Sequence, residues 1–365
     1  MKRRLIAAVV ASAFAAPAMA QLKPVPGFEW SLYGRVYLTV EQVESKGGTT
    51  ELSSRTRVSD NSSLLGVKAE KDLGGGLKGW GQLETGFKAD DTTGGTNSFA
   101  TRNSGVGLQG SFGNFFFGRW DTPFKISQVL AVDPFGDLTI AAMSGVVVRQ
   151  LGFDNRANNI IQYWSPSMAG FVVRLGMTSN EGKSDAAAVA GSAAGANPRL
   201  YSGTVEWTQG PFYASYAYEK HKDSIGNVVA TQGTDETGHG VSGKYTLGAW
   251  QVSGQYGQYD RTGTEKQKSG AINLLATFGV HQAIASYRTS KDGGATGAAT
   301  QPECKAWALA YKYLFDRNLD FIALITQIDN NSAGLCDFGQ NGVGAAAIAG
   351  GGDPHGIAAG LRYTF

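Results

Sequence analysis

Two glycine-rich runs are the first places where this chain could do chemistry. Gly105-Val106-Gly107-Leu108-Gln109-Gly110 fits the dinucleotide pattern G-x-G-x-x-G, and Gly238-His239-Gly240-Val241-Ser242-Gly243-Lys244 fits most of a phosphate-binding loop. Either would have to join a strand to a helix, so that the N–H groups of the helix start could meet phosphate oxygens. The first lies inside an alternating, strand-like run. In the second, Tyr245 stands where Ser or Thr would hold magnesium, and another strand follows. Both matches are read as chance. There is no G-x-S-x-G nucleophile elbow, and His221, His239, His281 and His355 are scattered rather than spaced as metal ligands. The residues thus predict no enzyme, no cofactor and no metal site.

Fixed charge is the chemistry that remains. The segment Asp121–Asp154 is long and apolar, carrying Phe124, Ile126, Val129, Leu130, Phe135 and Leu138 around the acidic turn Asp133-Pro134-Phe135-Gly136-Asp137. Such a loop would lie as a lid on a surface or fold into a lumen, and its apolar content favours the lumen. Around it stand Arg57, Arg102, Arg119, Arg149 and Arg156. Cations on one side of a narrow passage and Asp133 and Asp137 on the other would create a transverse field that orders polar solutes.

Such residues need a rigid wall behind them. The last ten residues alternate, with Ile357, Ala359, Leu361, Tyr363 and Phe365 on one face and Ala358, Gly360, Arg362 and Thr364 on the other. An unpaired terminal strand would expose a row of open backbone groups, so the pattern predicts a closed sheet whose last strand pairs with the first, near Trp30. Met1-Lys2-Arg3-Arg4, the apolar stretch Leu5 to Ala16 and Ala18-Met19-Ala20 read as a cleaved signal peptide over residues 1–20, leaving residues 21–365 as one barrel domain. No later apolar run is long enough for a transmembrane helix. Composition favours a membrane barrel, with 51 Gly, 14 Tyr and 18 Phe against 10 Pro and 17% charged residues. The formal net charge is +2, and without Lys2, Arg3 and Arg4 it falls to slightly acidic, which excludes the basic footprint of a nucleic-acid partner.

Strand-like runs of about ten residues recur, roughly sixteen in all, an even number as bacterial barrels require. They include Trp30–Val43, Ser63–Asp72, Arg102–Ser111 and Phe321–Asn330, the last the poorest because both of its faces are apolar. Tight turns such as Gly210 and Gly248-Ala249 alternate with long connections at Ser45–Ser62, Lys88–Thr101, Asp121–Asp154, Asn180–Pro198, Lys222–Thr237 and Asn331–His355. Short turns on the periplasmic side and long loops outside are the barrel pattern. Cys304 and Cys336 both fall on the long-loop side, and in an exported chain they predict a disulfide.

The chain resembles the trimeric general porins of Gram-negative outer membranes, of the β-proteobacterial and neisserial type. The likeness rests on Ser31-Leu32-Tyr33-Gly34, on Leu65-Gly66-Val67-Lys68 through Leu77-Lys78 with Gln82-Leu83-Glu84, on Gly118-Arg119 with Thr122-Pro123-Phe124, and on Asp133-Pro134-Phe135. It continues through Arg156, Asn158-Asn159, Tyr163, Ser165-Pro166 and Gly170-Phe171 to Phe365. The resemblance implies an all-β transmembrane antiparallel barrel with an inward-folded third loop, a homotrimer in outer-membrane lipid, and an eyelet in which Arg119, Arg156 and Asp133 take part. It also implies that Phe365 is the signal read by the barrel assembly machinery. In one departure, Ser62-Ser63-Leu64-Leu65-Gly66 stands where the family often has an arginine, so Arg57 is the candidate substitute. The expected function is passive diffusion of small ions and hydrophilic solutes with a weak anion preference, and the alternative is a substrate-specific channel.

Overall fold

The computed structural model describes residues 28–91, 98–147, 152–183, 195–225, 229–230 and 232–365. Alternation along each strand sorts the residues onto two faces. In Asp353–Thr364 the side chains of Ile357, Leu361 and Tyr363 are exposed, while Pro354, Gly356 and Ala358 are buried. The apolar face points outward in strand after strand, as with Leu32, Val106, Val205, Ile272 and Leu309. Only a lipid surround makes that arrangement favourable.

The sheet's 17 strand segments form sixteen barrel strands, because two segments are collinear. They are β1 (Phe28–Lys46), β2 (Leu52–Asp60 continued by Leu64–Gly74), β3 (Leu77–Gly86), β4 (Ser104–Gly110), β5 (Gly113–Asp121) and β6 (Arg156–Trp164). Next come β7 (Phe171–Thr178), β8 (Arg199–Gln209), β9 (Phe212–Lys222), β10 (Glu236–Leu247) and β11 (Trp250–Arg261). The circuit ends with β12 (Gln267–Phe278), β13 (His281–Lys291), β14 (Glu303–Leu314), β15 (Leu319–Asn330) and β16 (Asp353–Thr364). Every neighbour pairs antiparallel, and β16 returns to β1. Exposed aromatics sit beside the short turns: Phe112, Phe171, Phe212, Tyr245, Trp250, Phe278 and Phe315. This is the interfacial girdle of a membrane barrel.

Three expectations are corrected. The closing seam runs over Arg35–Lys46 against Thr364–Asp353, whereas Trp30 pairs with Ala69 of β2. The supposed first long loop is mostly strand, since Leu52–Asp60 pairs with the far half of β1. The break in β2 falls at Asn61-Ser62-Ser63, where Ser62 takes a φ of 64°. Here the Asn61 backbone N–H donates to the Tyr37 carbonyl (2.8 Å), and the Ser63 hydroxyl accepts the Tyr37 N–H (3.0 Å), so one side chain stands in for a ladder bond. Finally, Arg102 lies just before β4 rather than in it.

The strand read as doubtful is real, and its apolar inner face has a cause. Ile322, Leu324 and Ile328 of β15 are buried in the lumen in a core with Phe124, Val132, Phe135, Ile140 and Met143 of the third loop and Phe338 of the last. Cys304, at the start of β14, is disulfide-bonded to Cys336 of the last loop, with 6.2 Å between the Cα atoms.

Candidate functional site

The third loop begins with a helical turn at Pro123–Lys125, capped by the Thr122 hydroxyl, and passes into a π-helical turn at Ile126–Leu130. It then crosses the lumen against one wall. Small polar side chains from successive strands hold its backbone there. Phe124 N–H donates to Ser202 of β8 (3.0 Å), and Ser242 of β10 donates to the Ser127 carbonyl (2.7 Å). Ser253 of β11 and Asn273 of β12 both donate to the Val132 carbonyl, at 2.7 and 3.1 Å. Ser269 of β12 donates to Val147 (2.6 Å), Arg288 of β13 to Ala141 (2.7 Å) and Lys312 of β14 to Pro134 (3.2 Å). The loop thus lies along β8–β14, and the passage is left to the β16–β1–β6 side.

That open side carries the arginines. Arg57 pairs with Glu41 (2.8 Å), Arg102 with Glu84 (2.7 Å), Arg156 with Asp121 (3.1 Å) and Arg362 with Asp320 (2.6 Å). Arg35 and Arg119 differ. The Arg35 Nε donates to the Ser62 carbonyl and the Arg119 Nε to the Thr101 carbonyl, each at 2.9 Å, and Arg119 also donates to Asn158. Neither has a carboxylate partner among the described residues. Arg35 stands near enough to Arg102 and Arg362, and Arg119 to Arg156 and Arg102, for their charges to repel, with Glu84 and Asp60 acting on the first and Asp121 on the second in the opposite sense.

The expected site is therefore only partly assembled as read from sequence. Arg102, Arg119 and Arg156 come together on the open wall. Arg57 is on β2, not on a loop, and besides Glu41 it holds the Asn341 and Gly342 carbonyls of the last loop. Arg149 lies outside the described residues. Asp133 and Asp137 do not line the passage, being only 6% and 7% exposed. Asp133 accepts N–H bonds from Phe135, Asp137 and Met143 at 3.0–3.1 Å, so its carboxylate knots the loop's own turn. Asp137 accepts from Ser144 and faces Lys125 at 3.7 Å. Neither residue faces the passage to supply the anionic half of the expected transverse field. Arg35 belongs to this wall as well, on the polar face of β1, and Arg362 occupies the inner face of β16; the alternation of each strand is the signal that marks them.

Lys125 is a hub at the loop's root. Its ammonium lies 2.6 Å from Asp154, 3.6 Å from Asp121 and 3.7 Å from Asp137. Burial works against that charge, but the three carboxylates, Asp154 foremost, outweigh it and raise the ammonium's pKa. For Asp137 burial and the Asp154 charge win over Lys125 and push the carboxyl up to about 7. The return limb is fixed by His221 of β9, whose ring nitrogens lie 2.7 Å from Glu236 and 2.8 Å from Glu219. A ring facing two carboxylates donates from both nitrogens as imidazolium. Phe153 stacks on it with centroids 4.7 Å apart.

The described residues hold no metal cluster. The arrangement offers a polar passage with fixed positive charge. A family model described as Gram-negative porin matches residues 7–333. Outer membrane porin protein 32 of Delftia acidovorans is 27% identical over the full length of both chains. The monosaccharide porin of a Halomonas species is 29% identical over 71% of each chain. The fold superposes on an anion-selective porin from Comamonas acidovorans with a TM-score of 0.75 and 24% identity, covering 93% of this chain and 100% of that one.

Proposed function

This chain belongs to the Gram-negative porin family, and from that premise we propose that it is a general diffusion pore whose fixed charge favours small anions. It is an outer-membrane porin, a water-filled channel for passive diffusion of small hydrophilic solutes and ions. The anion preference rests on one observation: Arg35 and Arg119 lack carboxylate partners, while Glu41, Glu84, Asp121 and Asp320 on the same wall are each held by another cation. A passage bounded by low-dielectric walls focuses such uncompensated charge and raises the local concentration of counter-ions. The fold neighbour from Comamonas acidovorans, itself named as anion-selective, supports the same sign.

Reversal potentials in planar bilayers under a salt gradient test this. The parent should show the sign of anion preference, and Arg35→Ala with Arg119→Ala should move the potential towards zero. A clearly cationic parent overturns the preference.

A solute-specific channel is the second reading, and one feature favours it. Trp80, Phe116, Trp120 and Trp164 pack edge to face on the lumen side of β3, β5 and β6, and the Arg174 guanidinium lies 4.9 Å over the Trp164 ring. Trp120 and Trp164 are half-buried, and with a cation beside Trp164 they form a surface on which ring-shaped solutes would stack. Saturable, solute-dependent block of the current would favour this reading over the general pore.

We further place with the general-pore reading a signal peptide cleaved after Ala20, a homotrimer, and Phe365 as the mark read by the barrel assembly machinery. Support for the trimer is a shallow outward depression on β2–β5 where Gly79 and Gly81 lie among Phe28, Leu108, Phe115 and Phe117. Small residues in an apolar wall allow a second barrel to approach closely.

A further inference from the structure

The third loop does not narrow the lumen alone. The tip of the last loop, Cys336 to Val343, is wedged between it and the wall formed by β1 and β2. Phe338 is fully buried and meets Ile140 and Val43 in the space that Gly356 leaves open. Two glycines set the approach of the loops. A Cβ on Gly145 would strike the Asp337 carbonyl, and one on Gly339 would lie 2.5 Å from the Ala142 Cβ. Gln340 donates to the Asp137 carbonyl (3.0 Å), and Asn341 donates to the Asp60 carbonyl (3.0 Å) at the break in β2. On the other side Arg57 donates to Gly342 (3.2 Å). The Asp337 carboxylate closes the tip by accepting from Phe338 (2.7 Å) and Val343 (2.9 Å).

This loop is rich in Gly and Ala and buries few large side chains, so apolar burial contributes little to keeping it in place. The Cys304–Cys336 bond spans 32 residues and removes freedom from the detached loop. We propose that the last loop is a covalently anchored second wall of the constriction, holding the third loop against β8–β14 and so setting the width of the passage. The inference rests on the channel reading above and goes beyond it by assigning the aperture to two loops and one bond.

Single-channel recordings can test it on four samples of the full-length protein. They are the oxidised parent, the parent reduced with dithiothreitol, Cys304→Ser with Cys336→Ser, and Gly339→Val with the bond intact. Reduction puts two electrons and two protons into the S–S bond to give two thiols, and the dithiol leaves as its cyclic disulfide. Both sulfurs are buried, so thiol titration establishes that the bond has opened, and heat-modifiable gel mobility establishes that each barrel is folded. The altered samples should conduct more than the oxidised parent, with added flicker, and should admit larger neutral sugars. Unchanged or lower conductance in the folded samples overturns the proposal. If the serine variant does not fold, Gly339→Val and the reduced parent decide. A parent that conducts nothing would instead refute the channel reading.

Discussion

At the scale of residues, one buried carboxyl makes the constriction sensitive to pH. Asp137 shares Lys125 with Asp121 and Asp154, and Asp121 alone of the three is also held by Arg156. Burial first, then the Asp154 charge, raise the Asp137 carboxyl from 3.8 to about 7, so it takes up a proton near neutral pH. Asp133, buried close by, is shifted upward too, burial outweighing its backbone N–H bonds. The packed loop therefore binds protons that a detached loop would release. The Asp137 contribution to its stability is full below about 3.8 and is lost as pH rises to about 7. Open-channel current noise should accordingly grow between about pH 4 and pH 7. In Asp137→Asn, which keeps the neutral form, the rise should be smaller. Noise that is flat with pH in the parent, or equally steep in the variant, would contradict the assignment.

At the scale of elements, the question is what holds the third loop: its hydrogen bonds to the wall or its buried side chains. Each bond from Ser253, Ser242 or Asn273 replaces one to water and contributes about 0.5–1.5 kcal/mol net. Each buried Phe, Val, Ile or Met contributes about 1.5–3 kcal/mol, and Phe124, Val132, Phe135, Ile140 and Met143 are all at most 3% exposed. Burial wins, and the hydrogen bonds set where along β8–β14 the loop sits. Phe135→Ala should thus cost about 3–5 kcal/mol and give a noisy, wider pore, while Ser253→Ala should record close to parent. Equal effects of the two would refute the ranking. This apolar content is also why the inward fold was legible in the sequence. The directions of Asp133 and Asp137 were not, because in a loop no period fixes them, and the turn's own N–H groups claimed the first. The wedge at Phe338 was hidden for the opposite reason, as its loop carries too little apolar residue to announce a buried position.

At the scale of the whole molecule, alternation along each strand sufficed to find the barrel, since lipid and water sort the two faces wherever a strand closes into the sheet. The register of closure was not legible, because the break at Asn61-Ser62-Ser63 shifts which half of β1 each neighbour takes. The last residue completes the ring. Phe365 N–H and carbonyl exchange bonds with Gly34 at 3.0 and 2.9 Å, and the Phe365 ring lies across the place a Cβ on Gly34 would fill, 2.6 Å from it, with the Leu64 carbonyl at 2.7 Å. This seam joins the strands farthest apart in the sequence, so it carries the largest loop-closure entropy of any pairing. A side chain on Gly34 would crowd this seam at Phe365 and the β1–β2 pairing at Leu64. Gly34→Val should overpack the seam by about 1–3 kcal/mol and slow the appearance of the heat-resistant folded band during refolding into lipid vesicles. Deleting Phe365 should slow it as well, by removing both bonds rather than by crowding. Refolding of Gly34→Val at the parent's rate would show that closure is decided elsewhere on the β1–β16 pair.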